Sequence, residues 1–323
     1  MHTFDSASTL AALPFARLIG ALERMFIDGC EVPLRHTHTI NEPGGSHGTV
    51  LIMPAWLAGR YLGIKTVNIF PGNAVRGLPG LFSTYTLYDA QTGRPLAQMD
   101  GDQITARRTA AASALAASKL ARADAQRLLV VGAGRVAALL PLAYREVLPI
   151  VEVAVWARQP AQAAALADCW RSEGLPAVAT TDLAAAVTWA DVVSCATLSK
   201  APLIQGAWLR PGSHLDLIGG FTPQMREADD ACFAGASIYV DTDEAAQKSG
   251  DLLGPLSRAV FSAQDIRGTL ADLCRRHPMA QQAARPSARL SAHERTVFKS
   301  VGTALEDLAA AVLVWESQAP AAQ

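Results

Sequence analysis

The sequence has 323 residues, of which 50% are apolar and 18% are charged, and its formal net charge is −1. That length suits two domains of ordinary size with a substantial core. The charges are spread along the chain, which argues against a nucleic-acid-binding protein, because such a protein needs a clustered basic face. No apolar run reaches the roughly 18–20 residues of a membrane-spanning helix. The first residues lack the features of a signal peptide.

The cysteines and histidines suggest no disulfide framework and no metal site. The five cysteines lie far apart and are odd in number, which is typical of reduced, mostly buried thiols in a cytoplasmic protein. The segment "RHTH" places His36 and His38 on one face of a strand, a spacing that could chelate a metal. Because no further ligands cluster nearby, we expect a strand with a polar face and no metal.

The first third of the chain predicts a helix followed by a sheet. In "FARLIGALERMF", apolar residues recur every three to four positions, as in an amphipathic helix. Residues 34–100 contain short β-rich runs between turn segments such as "NEPGG" and "QTGRP". This texture predicts a sheet of antiparallel or mixed strands. The Ala-rich stretch 103–121 then predicts a closely packed helix.

From residue 127 onward, strand and helix signals alternate. The predicted strands are 127–132, 151–156, 192–196, 214–218 and 237–241. This alternation predicts an α/β fold with a doubly wound parallel sheet of the Rossmann type. The last stretch, residues 291–318, predicts one amphipathic helix that begins at Ser291, with Glu294 as its capping partner.

The segment "LLVVGAGRVA" has the pattern of a dinucleotide-binding turn. Gly132 permits the tight turn after a buried strand, Gly134 lets the backbone approach a pyrophosphate, and Ala137 allows the following helix to pack closely. The N–H groups at the start of that helix attract phosphates. We therefore predict cofactor contacts from the consecutive residues Gly132, Ala133, Gly134, Arg135 and Val136.

The second strand of this unit bears on the choice of cofactor. An acidic residue near its end normally binds the adenosine ribose of NAD(H) and repels a 2′-phosphate. Here Ala157 and Arg158 stand at that place, and no carboxylate does. Since a guanidinium pairs with a phosphate, we predict that NADP(H) is preferred and that NAD(H) is possible. The alternative is that Arg158 is solvated and the enzyme uses both.

Several cations in the first third are candidates for binding a small carboxylate. Lys65 lies within an apolar run, where it is either an edge lysine that reaches solvent or a functional amine. Arg107 and Arg108 are adjacent at the start of a helix, so we expect at most one to point inward. Arg35 is a further candidate, since a guanidinium binds a carboxylate through two hydrogen bonds.

The ordered motifs resemble those of the ornithine cyclodeaminase/mu-crystallin family from about residue 30 to 312. The most specific are "KTVNIFPGN" and "TARRTAAAS", and "LLVVGAGRVA", "LRPGSHLDLIGG" and "VFKSVGTALEDLAAA" also match. The resemblance implies a Rossmann domain, residues 121–295, inserted into a second domain. Residues 1–120 plus 296–323 would form that substrate-binding and dimerisation domain, which pairs with a second subunit.

The resemblance also implies site residues. In the family, two arginines and a lysine hold the substrate carboxylate, and by motif these are Arg35, Lys65 and Arg108. Lys65 and Arg108 would be catalytic, and Lys65 would either bind the carboxylate or donate a proton. Further cofactor contacts implied by the family motifs are Asn73, Thr109, Ala196, Thr197 and Gly302. The alternative for Asn73 is a turn residue that tolerates positive φ, and the alternative for Gly302 is a glycine that permits helix packing.

The family contains more than one chemistry, and one position separates them here. In its cyclodeaminases, an aspartate follows the turn after the strand that matches "HLDLIGG", whereas this sequence has Phe221 there. A phenyl ring cannot exchange protons but can pack against a flat substrate ring. We therefore expect NAD(P)H-dependent reduction of a cyclic imino acid, Δ1-pyrroline-2-carboxylate or Δ1-piperideine-2-carboxylate, to proline or pipecolate. The alternatives are NAD-dependent ornithine cyclodeamination, reductive amination of a keto acid, and non-catalytic binding of NADP(H) with a small ligand.

Overall fold

A computed structural model describes residues 1–42, 45–279 and 288–317. The chain divides into two compact units. The first unit consists of Met1–Arg108 and the chain from Thr303 onward, and the second consists of Thr109–Gly302. In the part of the chain that the structure describes, no helix is long and apolar enough to cross a membrane.

Strands and helices are numbered in chain order. The strands are β1 (His2–Phe4), β2 (His36–Glu42), β3 (Gly45–Leu57), β4 (Tyr61–Ile69), β5 (Leu81–Asp89), β6 (Pro95–Asp100), β7 (Arg127–Val131), β8 (Glu152–Trp156), β9 (Ala177–Ala179), β10 (Val192–Cys195), β11 (His214–Leu217), β12 (Ser237–Val240), β13 (Ile266–Thr269) and β14 (Thr296–Lys299). The helices are α1 (Ser6–Ala11), α2 (Phe15–Asp28), α3 (Gly101–Leu120), α4 (Arg135–Arg145), α5 (Pro160–Ser172), α6 (Leu183–Trp189), α7 (Ala245–Lys248), α8 (Gly250–Ser257), α9 (Leu270–Arg276) and α10 (Ala304–Ser317).

The first unit is built on a sheet with the strand order β1-β6-β5-β4-β3-β2. β1 is parallel to β6, and the other neighbours are antiparallel, which confirms the prediction of antiparallel or mixed strands. The predicted amphipathic helix is α2, whose buried residues include Leu18, Ile19, Leu22 and Phe26 at helical spacing. α10 packs against α2 and against β3, β4 and β5. Its residues therefore cover one face of the sheet.

The second unit has an eight-stranded parallel sheet with the order β13-β12-β14-β11-β10-β7-β8-β9. The predicted strands are found as β7, β8, β10, β11 and β12, and the α/β class with a doubly wound parallel sheet is confirmed. From β7 the chain first builds outward through β8 and β9, and it then returns to β10 on the other side. Ligands bind at the carboxyl end of the strands where such a sheet reverses its order. This point lies between β7 and β10.

The prediction of a single helix over residues 291–318 is wrong. Thr296–Lys299 form β14, a fully buried strand between β11 and β12. The helix α10 begins only at Ala304, after Gly302 with a φ of +76°. Short apolar runs do not reveal by periodicity whether they form a buried strand or a helix. Ser291 is therefore not the cap of α10, and Glu294 instead forms an ion pair with Arg267.

Candidate active site and cofactor cleft

The glycine turn of the second unit has the geometry that a dinucleotide requires. Gly132 has a φ of +121°, and a Cβ on it would lie 2.7 Å from the carbonyl oxygen of Ala196. A Cβ on Gly134 would meet nothing within 4 Å, so the space above this residue is open. Helix α4 begins directly after Gly134, which provides no side-chain cap. An open N-terminus above a glycine turn fits a pyrophosphate, and these residues therefore suit a dinucleotide cofactor.

A cleft of about 310 Å³ opens beside this turn at the carboxyl ends of β7, β8 and β10. Six predicted cofactor residues line it: Gly132, Ala133, Ala157, Arg158, Ala196 and Thr197. Trp156 also lines the cleft, as do Gln159 and Gln162, which sequence reasoning missed. Arg158 is exposed, and among the described residues that line the cleft none is acidic. The cleft therefore has the cation Arg158 at the position where a carboxylate would favour NAD(H).

In the first unit, Lys65 is a buried amine and not an edge lysine. It lies on β4 between β3 and β5, and its side chain is 2% exposed. Residues alternate between the two faces of a strand, and Lys65 shares the buried face with Gly63 and Val67. Burial lowers the pKa of the Lys65 amine to about 8, although the neighbouring Asp307 carboxylate opposes the shift. The amine is therefore mainly cationic at neutral pH.

Two carboxylates from α10 hold Lys65 and Arg108 together. Asp307 lies 2.5 Å from the Lys65 ammonium through Oδ2, and its Oδ1 accepts a 2.9 Å hydrogen bond from Arg108 Nε. Glu306 Oε2 accepts a 2.6 Å hydrogen bond from Arg108 Nη1. Both carboxylates are fully buried. Burial opposes their ionisation, but Lys65 and Arg108 lower the pKa of Asp307 below its usual value.

Glu306 and Asp307 were missed by sequence reasoning. The signal was present in the motif "VFKSVGTALEDLAAA", where two acidic residues interrupt an apolar helix. A buried charge needs a partner, so such a pair predicts cations opposite it. The carboxylates fix both cationic head groups in place.

The prediction that at most one of Arg107 and Arg108 points inward is wrong, because both are buried. Arg107 Nε donates a 2.7 Å hydrogen bond to the carbonyl of Leu13, and its guanidinium lies 4.1 Å from the ring centre of Phe15. Helix α3 is buried on most of its surface, so side chains that diverge around it still find buried partners. Arg107 therefore ties α3 to the start of α2.

Arg35 lies half-buried directly before β2. The register pairs His36 with Ile52, and it pairs Met53 with Lys65. If this register continues by one residue, Arg35 lies opposite Met53. Arg35 is then two strands away from Lys65, which is a backbone separation of about 10 Å. Arg35 is thus on the same cross-strand row as Lys65, and its contact with a substrate remains a prediction.

Asn73 acts as a turn residue in the first unit, but not with positive φ. Its side-chain amide donates a 2.8 Å hydrogen bond to the carbonyl of Pro79, and the positive φ of this segment is at Gly77. Its cofactor contact stays a prediction.

The remaining predicted site residues lie in the second unit. Thr109 is half-buried on α3, and Phe221 is 40% exposed after the Gly219–Gly220 turn. Gly302 donates its N–H to Asp241 Oδ2 at 2.7 Å. Arg135 and Val136 form the first turn of α4. Their roles toward cofactor or substrate stay predictions.

A family model for the ornithine cyclodeaminase/mu-crystallin family matches residues 17–321. The chain belongs to this family. A Δ1-pyrroline-2-carboxylate reductase of Paracoccus denitrificans is 43% identical over 284 residues, which cover 85% of this chain and 87% of that protein.

Solved structures of similar length share the fold of this chain. The Thermococcus litoralis Δ1-pyrroline-2-carboxylate reductase in complex with NADH and L-proline superposes with a TM-score of 0.87 and 30% identity, covering 98% of this chain and 97% of that one. An archaeal alanine dehydrogenase, a dimer with bound NAD, also gives a TM-score of 0.87, with 28% identity and coverage of 98% and 95%. Both relatives hold a nicotinamide cofactor.

Proposed function

We propose that this protein uses NAD(P)H to reduce a small cyclic imino acid, Δ1-pyrroline-2-carboxylate or Δ1-piperideine-2-carboxylate, to proline or pipecolate. The observation that carries the proposal is the buried Lys65–Arg108 pair, fixed by Asp307. The proposal assigns the substrate carboxylate to this pair and the cofactor to the cleft beside Gly132. The similarity to Δ1-pyrroline-2-carboxylate reductases supports it.

In the proposed mechanism, the residues of the first unit bind and orient the substrate. Arg108 and Arg35 bind the carboxylate, and the Lys65 ammonium orients it. These cations also keep the substrate ring in one position, so that positioning contributes most of the rate enhancement. When bound, the reduced nicotinamide supplies the hydride that the carbon of the protonated C=N group accepts. The protonated imine thereby becomes the neutral cyclic amine, which takes up a proton from solvent at neutral pH because an aliphatic amine has a pKa of about 10.

Phe221 favours reduction over cyclodeamination. A cyclodeaminase needs a group that handles the departing ammonia and the water at this position, and a phenyl side chain offers neither acid nor base. With 40% of its surface exposed, the ring is accessible for packing against an apolar ring. Phe221 is therefore proposed as a substrate-binding residue.

The decisive experiment is to follow the oxidation of NADPH with the five-membered and the six-membered cyclic imino acid as substrates. We expect turnover of at least one of them, with proline or pipecolate as product. L-Ornithine with NAD serves as the control, from which we expect no ammonia. Release of ammonia and proline from ornithine would identify a cyclodeaminase instead. Tight NADPH binding without any turnover would favour a binding protein.

We further propose a preference for NADP(H), supported by Arg158 in a cleft wall without acidic residues. For Arg158→Ala we expect the KM for NADPH to rise about tenfold, because an exposed arginine–phosphate pair contributes about 1.4 kcal/mol. The KM for NADH should hardly change, since NADH lacks the 2′-phosphate. Steady-state kinetics with both cofactors measure this. A lower KM for NADH than for NADPH in the unaltered protein would contradict the preference.

We also propose that the protein is a homodimer and that it is located in the cytoplasm. The family resemblance implies pairing of the substrate-binding domain with a second subunit, and the archaeal alanine dehydrogenase of the same fold is a dimer. All five cysteines are free thiols, as suits a reducing compartment.

A further inference from the structure

One buried carboxylate connects two loops at the edge of the cofactor cleft. Glu227 Oε1 accepts hydrogen bonds from the backbone N–H of Thr197 at 2.8 Å and from its hydroxyl at 2.7 Å. Glu227 Oε2 accepts from the N–H groups of Gly219 at 2.9 Å and Gly220 at 3.2 Å. Thr197 follows β10, and the two glycines follow the neighbouring strand β11. Glu227 thus joins the loops that end both strands.

Glu227 is itself fixed by a second carboxylate and a lysine. Asp251 Oδ1 accepts from the N–H groups of Glu227 at 2.7 Å and Ala228 at 3.1 Å, and its Oδ2 accepts from Lys299 Nζ at 2.9 Å. Lys299 Nζ also lies 3.9 Å from Glu227 Oε2. Glu227, Asp251 and Lys299 are all 0% exposed. A buried charge is costly unless it is paired, and here the Lys299 ammonium partners the two carboxylates.

The packing around these loops leaves little freedom for movement. A Cβ on Gly219 would lie 2.0 Å from the carbonyl oxygen of Thr197 and 2.6 Å from Glu227 Oε1. On the other side of the same loop, the Ala196 carbonyl packs against Gly132. A shift of Thr197 therefore changes the wall of the cleft next to the glycine turn.

We propose that Glu227 is a positioning residue for the dinucleotide: its ionised carboxylate holds Thr197 and the Gly219–Gly220 turn in the arrangement that binds the cofactor. Asp251 and Lys299 keep Glu227 in place. This inference rests on the proposed function, because it requires that a dinucleotide occupies the cleft that Thr197 lines.

The positioning depends on the charge of Glu227. Burial raises the pKa of Glu227 to about 7, with Lys299 opposing the shift and Asp251 adding to it. The titratable groups that face Glu227 are Lys299 from β14, Asp251 from α8 and Cys195 from β10, and Asp216 of β11 acts on Lys299. As the pH falls through about 7, the carboxylate takes up a proton. It then loses the capacity to accept all four hydrogen bonds, and cofactor affinity should fall.

The experiment compares the intact chain with its Glu227→Gln variant, whose neutral amide mimics the protonated acid. Calorimetric titration with NADP⁺, which is stable in acid, gives the affinity of each protein. At about pH 8.5 we expect the variant to bind about tenfold more weakly, because hydrogen bonds to a charged acceptor are lost. At about pH 5.5 we expect the two proteins to agree within about twofold, because the native glutamate is then protonated.

Asp229→Asn is the matched control. Asp229 is two residues away and accepts from the N–H groups of Gly206 and Cys232, at 2.9 and 3.1 Å. Its replacement should lower Tm without a pH-dependent change in affinity. An equal loss of affinity at both pH values for Glu227→Gln, or no loss at either, would overturn the role of Glu227. The proposal that the cleft binds a dinucleotide would be unaffected. Failure of the unaltered protein to bind either NADP⁺ or NAD⁺ would overturn the proposed function as well. If Glu227→Gln does not fold, a pH-independent affinity of the unaltered protein suffices to overturn the inference.

Discussion

Replacing Arg108 with methionine should lower kcat/KM for the imino acid about a thousandfold. The side chain of Arg108 is 7% exposed and forms hydrogen bonds with both Asp307 and Glu306. Truncating one partner of a buried, hydrogen-bonded charge pair weakens binding by about 2–5 kcal/mol, and about 4 kcal/mol corresponds to about a thousandfold in binding of the substrate carboxylate in the transition state. Steady-state kinetics with NADPH held at saturation measure the effect.

This loss must be separated from simple unfolding. Arg108→Met leaves Lys65 facing two buried carboxylates, so we also expect a lower Tm. The double variant Arg108→Met/Glu306→Gln restores the balance of one cation and one carboxylate, since Lys65 and Asp307 remain paired at 2.5 Å. It should recover much of the thermal stability and none of the activity. If activity returned with stability, Arg108 would have a structural role only, and the proposed carboxylate site would be wrong.

Replacing Gly132 with alanine should weaken cofactor binding severely, with Kd raised at least about a hundredfold. The added Cβ would lie 2.7 Å from the Ala196 carbonyl, and the φ of +121° is one that L-residues rarely adopt. Backbone strain of this kind costs about 1–3 kcal/mol, and the steric conflict with backbone adds to it. The turn must therefore move and distort the cleft. Fluorescence titration with NADPH and a thermal melt of the unliganded protein are the measurements.

Gly134→Ala is the matched control for the turn. Gly134 has an ordinary extended backbone, with φ −87° and ψ −176°, and a Cβ there meets nothing within 4 Å. The unliganded protein should therefore keep its Tm within about 2 °C, because a surface change without strain costs little. Cofactor binding should still weaken, because the methyl group occupies space meant for the pyrophosphate. Normal NADPH binding by Gly134→Ala would show that the cofactor does not approach this residue.

Local sequence patterns account for most of the second unit's architecture and for its glycine turn. Alternating strand and helix signals between residues 127 and 241 identify a parallel sheet, because the periods of 2.0 and 3.6 residues are local properties of the chain. The glycine turn could be predicted in the same way, because Gly132 and Gly134 are required by the backbone of a single strand–turn–helix segment. The burial of Lys65 was an open question in the sequence, and its place on the buried face of β4 answers it.

The pairing of the buried charges depends on contacts between distant parts of the chain. Arg108 and Asp307 are 199 residues apart, and no periodic signal connects an arginine on α3 with a carboxylate on α10. The same limit applies to Glu227, which meets Lys299 only because β14 enters the sheet beside β11. The errors over Arg107 and over residues 291–318 have a related cause. Amphipathic periodicity presumes one solvent-facing side, whereas α3 and β14 are buried on nearly all sides, so local pattern carries no information about their partners.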